Sequence, residues 1–320
     1  MKKLSIIAPC YNGENYVKRF LDSMLAQTYK FIELILVNDG STDTTEEILI
    51  DYETKFRCAG MEYIHIKQNN QGIGGAINNA LKSVTGDYLS WFGTDDYALP
   101  TYAEELVGFL ENNQEFAVVR NDGFLVDEDD TSIITGRMAD HNFDKHNPWL
   151  FENAITEKNF HFGYSVLRMD IFDKVNPNRE IYPSRQGQNW QLLLPIFYHY
   201  KSAFYEKPLY CVIDQKVSVS RLTNQPYEKI KAVEYEYEKI LLETLNSMEI
   251  SDREKYIKIV RVKYIRRRMK IAITLGERAD ALKEYKLLKK EKAVLLEDRK
   301  HYLRARFSLV DKIIRRTRKK

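Results

Sequence analysis

Near its start the chain carries a short apolar run, LSIIA at 4–8, that breaks off at Pro9 and Asn12-Gly13. An apolar run of this length bounded by turn formers predicts a buried strand running into a loop. Tyr16, Val17, Phe20, Leu21, Met24 and Leu25 then recur at steps of three and four, which predicts a helix over 15–27. The same reading gives a strand at 33–39, a helix at 44–56 entered from Ser41-Thr42-Asp43, a strand at 61–66, a helix at 75–84 and a strand at 87–92. An acidic loop at 93–96 and a helix starting near Pro100 follow. Strands alternating with helices through short connections predict a mostly parallel sheet flanked by helices, with a ligand at the carboxyl ends of the strands.

The pattern changes twice further along. From about 116 to 225 the segments are mixed and aromatic-rich (AVVRND, GFLVDE, FGYSVL, LYCVID), with one helix at 189–200. After Pro226 come long Lys/Glu/Leu/Tyr stretches with almost no Gly or Pro, which predict consecutive helices to the end. The expected organisation is therefore 1–115 and 116–225 as two halves of one α/β domain, and 226–320 as a basic helical extension. No internal repeat is visible.

Composition adds one asymmetry. Of 320 residues 44% are apolar, enough for a full α/β core and a further unit, and the net charge is +3. Residues 261–320, however, hold 22 Lys/Arg against 7 Asp/Glu, leaving 27 against 39 in residues 1–260. Body and tail are thus suited to different partners. Cys10, Cys58 and Cys211 are widely spaced and show no metal-ligand pattern, so neither a disulfide framework nor a zinc site is expected, and a reducing cytoplasm fits. The first apolar run is too short for a signal-peptide core, and no stretch reaches the roughly 18 apolar residues of a membrane span.

Four polar loops stand at the ends of successive strands: Pro9-Cys10-Tyr11-Asn12-Gly13-Glu14, Asn38-Asp39-Gly40-Ser41-Thr42-Asp43, Asn70-Gln71-Gly72-Ile73-Gly74-Gly75 and Gly93-Thr94-Asp95-Asp96. Tyr11, just past a strand, suits stacking on a flat base, with ordinary loop packing as the alternative. A carboxylate at Asp39 can accept hydrogen bonds from a base N–H or a ribose hydroxyl. Asp43 reads as a helix cap. Gly72, Gly74 and Gly75 permit close approach of a ligand to the backbone, and the helix they introduce points amides toward that edge. Asp95 and Asp96 repel each other unless a proton or a cation settles the charge. A solvated turn is the bland alternative; Mg2+ or Mn2+ bridging a carboxylate to a diphosphate is the chemical one.

Four such signatures in this order resemble the family 2 glycosyltransferases over residues 3–115, more weakly beyond 116, and not after 226. The resemblance implies a GT-A (Rossmann-like) fold and transfer of a sugar, inverting and metal-dependent, from a nucleotide-sugar donor, UDP-linked because Tyr11 and Asp39 would hold uracil. It implies nucleotide contacts from Pro9, Tyr11, Asn12, Glu14, Asp39, Gly72, Gly74, Asn78 and Asp95. Asp95 would ligate the divalent metal (Mn2+ or Mg2+), and 116–225 would build the acceptor side for a glycan or lipid-linked acceptor. Two departures stand out. Ile77 occupies a place where the pattern carries Arg, and Gly93 replaces the first acid of Asp-x-Asp-Asp.

A third departure concerns the general base. The pattern's Glu-Asp pair ahead of a Trp-containing helix falls on Gln188 and Asn189, before Trp190. Amides cannot take the acceptor's proton at neutral pH, but they bind sugar hydroxyls, so Gln188, Asn189 and Trp190 are candidate acceptor contacts. Asp96, Asp122, Glu180 and His161 are the remaining candidate bases, none singled out by spacing; Arg185 and Gln188 are candidates for a phosphate or hydroxyl. A donor-binding partner that has lost turnover is the alternative reading.

In the tail, Leu303, Phe307, Val310 and Ile314 form one apolar stripe among Arg304, Arg306, Lys312, Arg315, Arg316 and Arg318, the pattern of an interfacial helix on anionic lipid. Arg266-Arg267-Arg268 and Lys270 would add to that field. Packing on its own domain is the equal alternative. Nucleic acid is a poor fit, because no base-reading module is present and the body is acidic. The expected location is cytoplasmic, with peripheral attachment to the inner face of the cell membrane as an option.

Overall fold

The computed structural model describes residues 1–140, 143–214 and 225–306, and the chain divides into two compact units, 1–218 and 219–320. In the first, β1 (Leu4–Cys10), β2 (Ile32–Asp39), β3 (Glu62–Gln68) and β4 (Tyr88–Trp91) pair in parallel in the order β3-β2-β1-β4. The sheet continues through β8 (Ser165–Arg168), β6 (Phe116–Asp127), β9 (Lys201–Asp214) and β5 (Tyr97–Ala98), with β7 (Ile134–Arg137) on β6. β8 is antiparallel to both neighbours, and β6 and β9 are parallel to each other. The result is the mixed, mostly parallel, helix-flanked sheet that the alternation of patterns predicts.

Alternation along the strands assigns the two faces. Leu4, Ile6, Ala8, Leu34 and Leu36 join one apolar cluster with Phe20, Leu21 and Met24 of α1 (Val17–Leu25), Leu49 and Phe56 of α2 (Thr45–Cys58), and Leu106 and Leu110 of α4 (Tyr102–Asn112). Helix α3 (Gly72–Ser83) packs on β1 and β2 but shares none of that cluster. The chain steps outward from β1 to β3 and then returns past β1 to β4, so a right-handed crossover carries α3 over the other face. That reversal between β1 and β4 is where ligands bind in open α/β sheets.

Three shorter or later helices complete the unit: α5 (Phe151–Thr156), α6 (Met169–Val175) and α7 (Gln188–His199). α3 starts at Gly72 rather than near 75, because the glycine loop is itself the first helical turn.

The second unit is helical, with α8 (Tyr227–Ser247), α9 (Arg253–Leu275), α10 (Arg278–Lys290) and α11 (Leu296–Arg306). Leu241, Leu245, Val260, Tyr264, Met269 and Leu288 are buried in it. Its basic triplet is committed internally: Arg266 pairs with Asp298 at 2.9 Å, Arg267 with Glu234 at 2.8 Å, and buried Arg268 with Glu238 and with Glu284 at 3.2 Å. Lys270 reaches Glu297 at 3.3 Å. The expectation that this cluster strengthens a cationic surface field is corrected, since each charge is met by a carboxylate on a neighbouring helix. Phe307, Val310, Ile314, Lys312, Arg315, Arg316 and Arg318 of the expected interfacial stripe lie outside the described residues. Among the described residues no helix is long and apolar enough to cross a membrane.

Candidate functional site

The register sets the strand ends side by side. Cys10 pairs with Asn38, Asn38 with Lys67, and Ile7 with Trp91. Side chains then stitch the loops together. The backbone amide of Asn12, a residue at φ 49°, donates to Ser41 Oγ at 2.9 Å, while the Asn12 Oδ1 accepts from the Thr42 amide at 2.9 Å. The Gly13 amide donates to Thr45 Oγ1 at 2.7 Å. Glu14 accepts from the amide and hydroxyl of Thr44 at 3.1 and 2.9 Å. Asn12 and Glu14, expected at the nucleotide, thus spend these groups joining the first loop to the second. Asp43, expected as the cap of α2, lies one residue before the N-cap Thr44 and accepts from the Thr45 amide at 3.1 Å. Tyr11, in the same loop as Asn12, is 48% exposed.

Asp39 is placed differently from an open ligand contact. Only 4% exposed, it accepts from Gln68 Nε2 at 2.7 Å and from the amides of Gln71 and Gly72 at 2.8 and 2.9 Å. The carboxylate therefore sits at the start of α3, where negative charge is favoured by the exposed amides and helix dipole. Gly40, at φ +75°, abuts the Asn70 backbone; a Cβ there would lie 2.7 Å from the Asn70 nitrogen, so the second and third loops are in direct contact.

The other glycines of the third loop serve close packing of chain on chain. The Gly74 amide donates to the Ser184 carbonyl at 2.8 Å, and a Cβ on Gly74 would come within 2.6 Å of the Ser184 nitrogen. Asn78 exchanges hydrogen bonds with the Ile181 backbone at 2.9 and 2.8 Å. Gly74 and Asn78 were expected at the nucleotide; both instead hold segment 179–185 along α3. Arg179 anchors the far end of that segment on the Val84 carbonyl at 2.8 Å. Glu180, exposed between Arg179 and Ile181, lies along the later part of α3 rather than at the glycine turn that opens it.

The acidic loop carries the main electrostatic feature. Asp96 accepts from the Tyr164 hydroxyl at 2.6 Å and from the Ile213 amide at 3.1 Å. Burial, and then the charge of Asp95, push its carboxyl up to about 7, although Tyr164, the Ile213 amide and Arg19 pull the other way. Tyr164 is fixed by stacking on Phe92, with centroids 4.1 Å apart. Arg19 of α1 donates to the Asp95 carbonyl at 2.8 Å. Asp95 is partly exposed, and its Oδ1 occupies space next to Gly93, 2.6 Å from where a Cβ would stand.

This donor set fits a hard divalent cation in one respect: an acidic pair whose charge is unsettled, with one member partly open. Among the described residues no group of three or more His, Cys, Asp or Glu surrounds it, so ligand oxygens and water would have to complete the coordination. Tyr164 and Arg19 were missed by sequence reasoning. Tyr164 lies in the aromatic FGYSVL segment, but nothing local ties it to a loop 68 residues earlier.

The remaining candidates disperse. Asp122 is fully buried, paired with Arg137 Nε at 2.8 Å and accepting from the amides of Gly123 and Ala139, each at 2.8 Å. A carboxylate so saturated has no lone pair free for an acceptor proton, so this expectation is corrected. His161 is half-buried, its ring 5.9 Å from Phe143 and its carbonyl bonded by buried Arg120. Asn189 accepts from Trp91 Nε1 at 2.7 Å, tying α7 to the end of β4. Gln188 opens α7, and the Trp190 ring meets Phe162 edge-on at 5.7 Å. Cys10, at the end of β1, is buried, which pushes its thiol up to about 11 and keeps it protonated. Pro9 is half-buried in β1.

Comparison with known proteins matches residues 5–176 to the model of Glycosyl transferase family 2, more than half of the chain. An uncharacterized glycosyltransferase of Rickettsia typhi is 39% identical over 131 residues, which is 41% of this chain and 39% of that protein. The chain thus spans about two fifths of the length of such relatives. Among solved structures, S. aureus TarS in complex with UDP-GlcNAc superposes with a TM-score of 0.57 at 17% identity, covering 97% of this chain and 92% of that one. The mannosyltransferase PcManGT from Pyrobaculum calidifontis, in complex with GDP-Man and Mn2+, gives 0.52 at 14% identity over 98% and 86%.

Proposed function

The chain belongs to Glycosyl transferase family 2, and from that premise we propose that it transfers a sugar from a UDP-sugar to a glycan or lipid-linked acceptor, with a divalent cation, at the cytoplasmic side of a membrane or in the cytoplasm. The observation that carries this reading is the register, which sets the loops of Tyr11, Asp39 and the Asp95-Asp96 pair at the carboxyl ends of the neighbouring parallel strands β1, β2 and β4. Tyr11 offers an exposed ring for a base, while Asp39 has one unengaged lone-pair direction for a polar contact from the nucleoside. Asp95 would hold Mn2+ or Mg2+ against the diphosphate, and the cation would supply charge stabilisation for the departing nucleotide. Tyr164 and the Ile213 amide hold Asp96 behind it. The 116–225 half supplies the acceptor side, with Gln188 and Trp190 at the start of α7 as hydroxyl and ring contacts.

One observation favours a second reading. No acid stands at 188 or 189, and Asn189 is already bonded to Trp91. A chain that binds the donor without turning it over would look the same at this position. UDP release from a panel of UDP-sugars with Mn2+ separates the two. Sugar-dependent release abolished by Asp95→Ala supports transfer; UDP binding without release across a range of acceptors supports the binding partner; and no binding of any uridine nucleotide overturns both.

A further inference from the structure

Segment 179–185 lies along α3 in the reverse direction, contacting it at four levels. Arg179 bonds the Val84 carbonyl beyond the helix end, Ile181 exchanges bonds with Asn78, Ser184 accepts from the Gly74 amide, and Arg185 packs on Gly72. This strap covers the face of α3 that holds Gly74 and Asn78, and Ile77 beside them is 1% exposed. A long cationic side chain at 77 would have to emerge from that buried position. The strap instead ends in a cation of its own.

Arg185 is exposed, and among the described residues neither a carboxylate nor a hydrogen-bond acceptor engages it. Its side chain leans on Gly72, whose missing Cβ leaves the room: a Cβ there would lie 2.9 Å from Arg185 Cγ. Gly72 is also the residue whose amide holds Asp39. Three amides at the start of α3 are already engaged, since Gln71 and Gly72 donate to Asp39 and Gly74 donates to Ser184. With Asp43, Asp95 and Asp96 on the neighbouring loops, the edge is acidic, and a diphosphate placed there needs a positive partner.

We propose that Arg185 is the protein's own cation for the donor diphosphate, delivered by the strap to the start of α3 in place of a side chain on α3 itself. The assignment rests on the nucleotide-donor reading above. Its guanidinium fork suits phosphate oxygens, and because it makes no hydrogen bond or ion pair among the described residues, only the packing of its stem on Gly72 is lost when it is removed.

Binding of UDP and of uridine to the full chain, with Mn2+ present, tests this by calorimetry or competition. Arg185→Ala should weaken UDP by about tenfold to a hundredfold, as loss of a charge-assisted contact does, and leave uridine unchanged. Arg185→Lys should recover part of the loss. The unfolding midpoint of both variants should match the wild type. Equal UDP affinity in wild type and Arg185→Ala overturns the assignment while leaving the donor reading in place; so does a parallel loss of UDP and uridine, which would make Arg185 a support for the strap. Wild-type protein that binds neither ligand overturns the donor reading and the assignment with it.

Discussion

Asn78 on α3 and Ile181 on the strap exchange a reciprocal pair of hydrogen bonds across 103 residues of sequence. One amide side chain satisfies both the N–H and the C=O of a residue in irregular backbone, the kind of local accounting that buried loops require. Replacing Asn78 with Ala leaves both groups of buried Ile181 unpaired and should cost about 1–3 kcal/mol. Gly74→Ala should act on the same interface by sterics, since its Cβ meets the Ser184 backbone. Urea unfolding measures the cost; amide exchange should rise over 179–185 more than in β1 or β2.

Asp122 is a structural carboxylate. Its removal in Asp122→Ala strands the amides of Gly123 and Ala139 and unpairs Arg137, at a cost of about 3 kcal/mol. Turnover per folded molecule should be unaffected. A variant of normal stability whose turnover is abolished would contradict the placement.

Stability should carry an acid-sensitive contribution from Glu33. This buried carboxylate accepts from Ser5 Oγ at 2.6 Å and from the Thr85 amide at 2.9 Å, with Lys3 at 3.5 Å. Burial opposes its charge, but those contacts prevail and hold it below its ordinary value of 4.5. A depressed folded-state pKa stabilises the fold above the unfolded value and loses that contribution as pH falls through the folded one. The stability gap between wild type and Glu33→Gln should therefore be widest above about pH 5 and close on acidification. Unfolding curves from neutral pH downward check this; a gap that stays constant would refute it.

Tyr164→Phe removes the hydroxyl that donates to Asp96 and accepts from the Gly93 amide at 3.2 Å. The expected cost is about 1–2 kcal/mol of stability. UDP binding in Mn2+ should weaken, while binding without metal should not change, a split readable by titration with and without chelator.

The sheet and the four loops were legible from sequence because their signals are local: LSIIA ending at Pro9, the three-four spacing from Tyr16 to Leu25, the acids after Trp91-Phe92. What those loop residues touch was not. Asn12 and Glu14 read as ligand contacts, yet their partners Ser41, Thr42 and Thr44 lie about thirty residues away. Gly74 and Asn78 likewise answer to a strap a hundred residues downstream. In the helical unit, Arg266, Arg267 and Arg268 looked like free surface charge because the acids that meet them sit on other helices. Composition records how many charges there are, not which ones face each other.

The glycine at 93 makes the acidic loop a packed arrangement rather than one with a missing part. Since the Asp95 carboxylate rests in the room that a side chain at 93 would occupy, writing an acid back into that position would evict Asp95 from its present rotamer and set a third negative group against Asp96. Ancestral-style restoration of the motif would thus exchange one coordination geometry for another instead of adding a ligand.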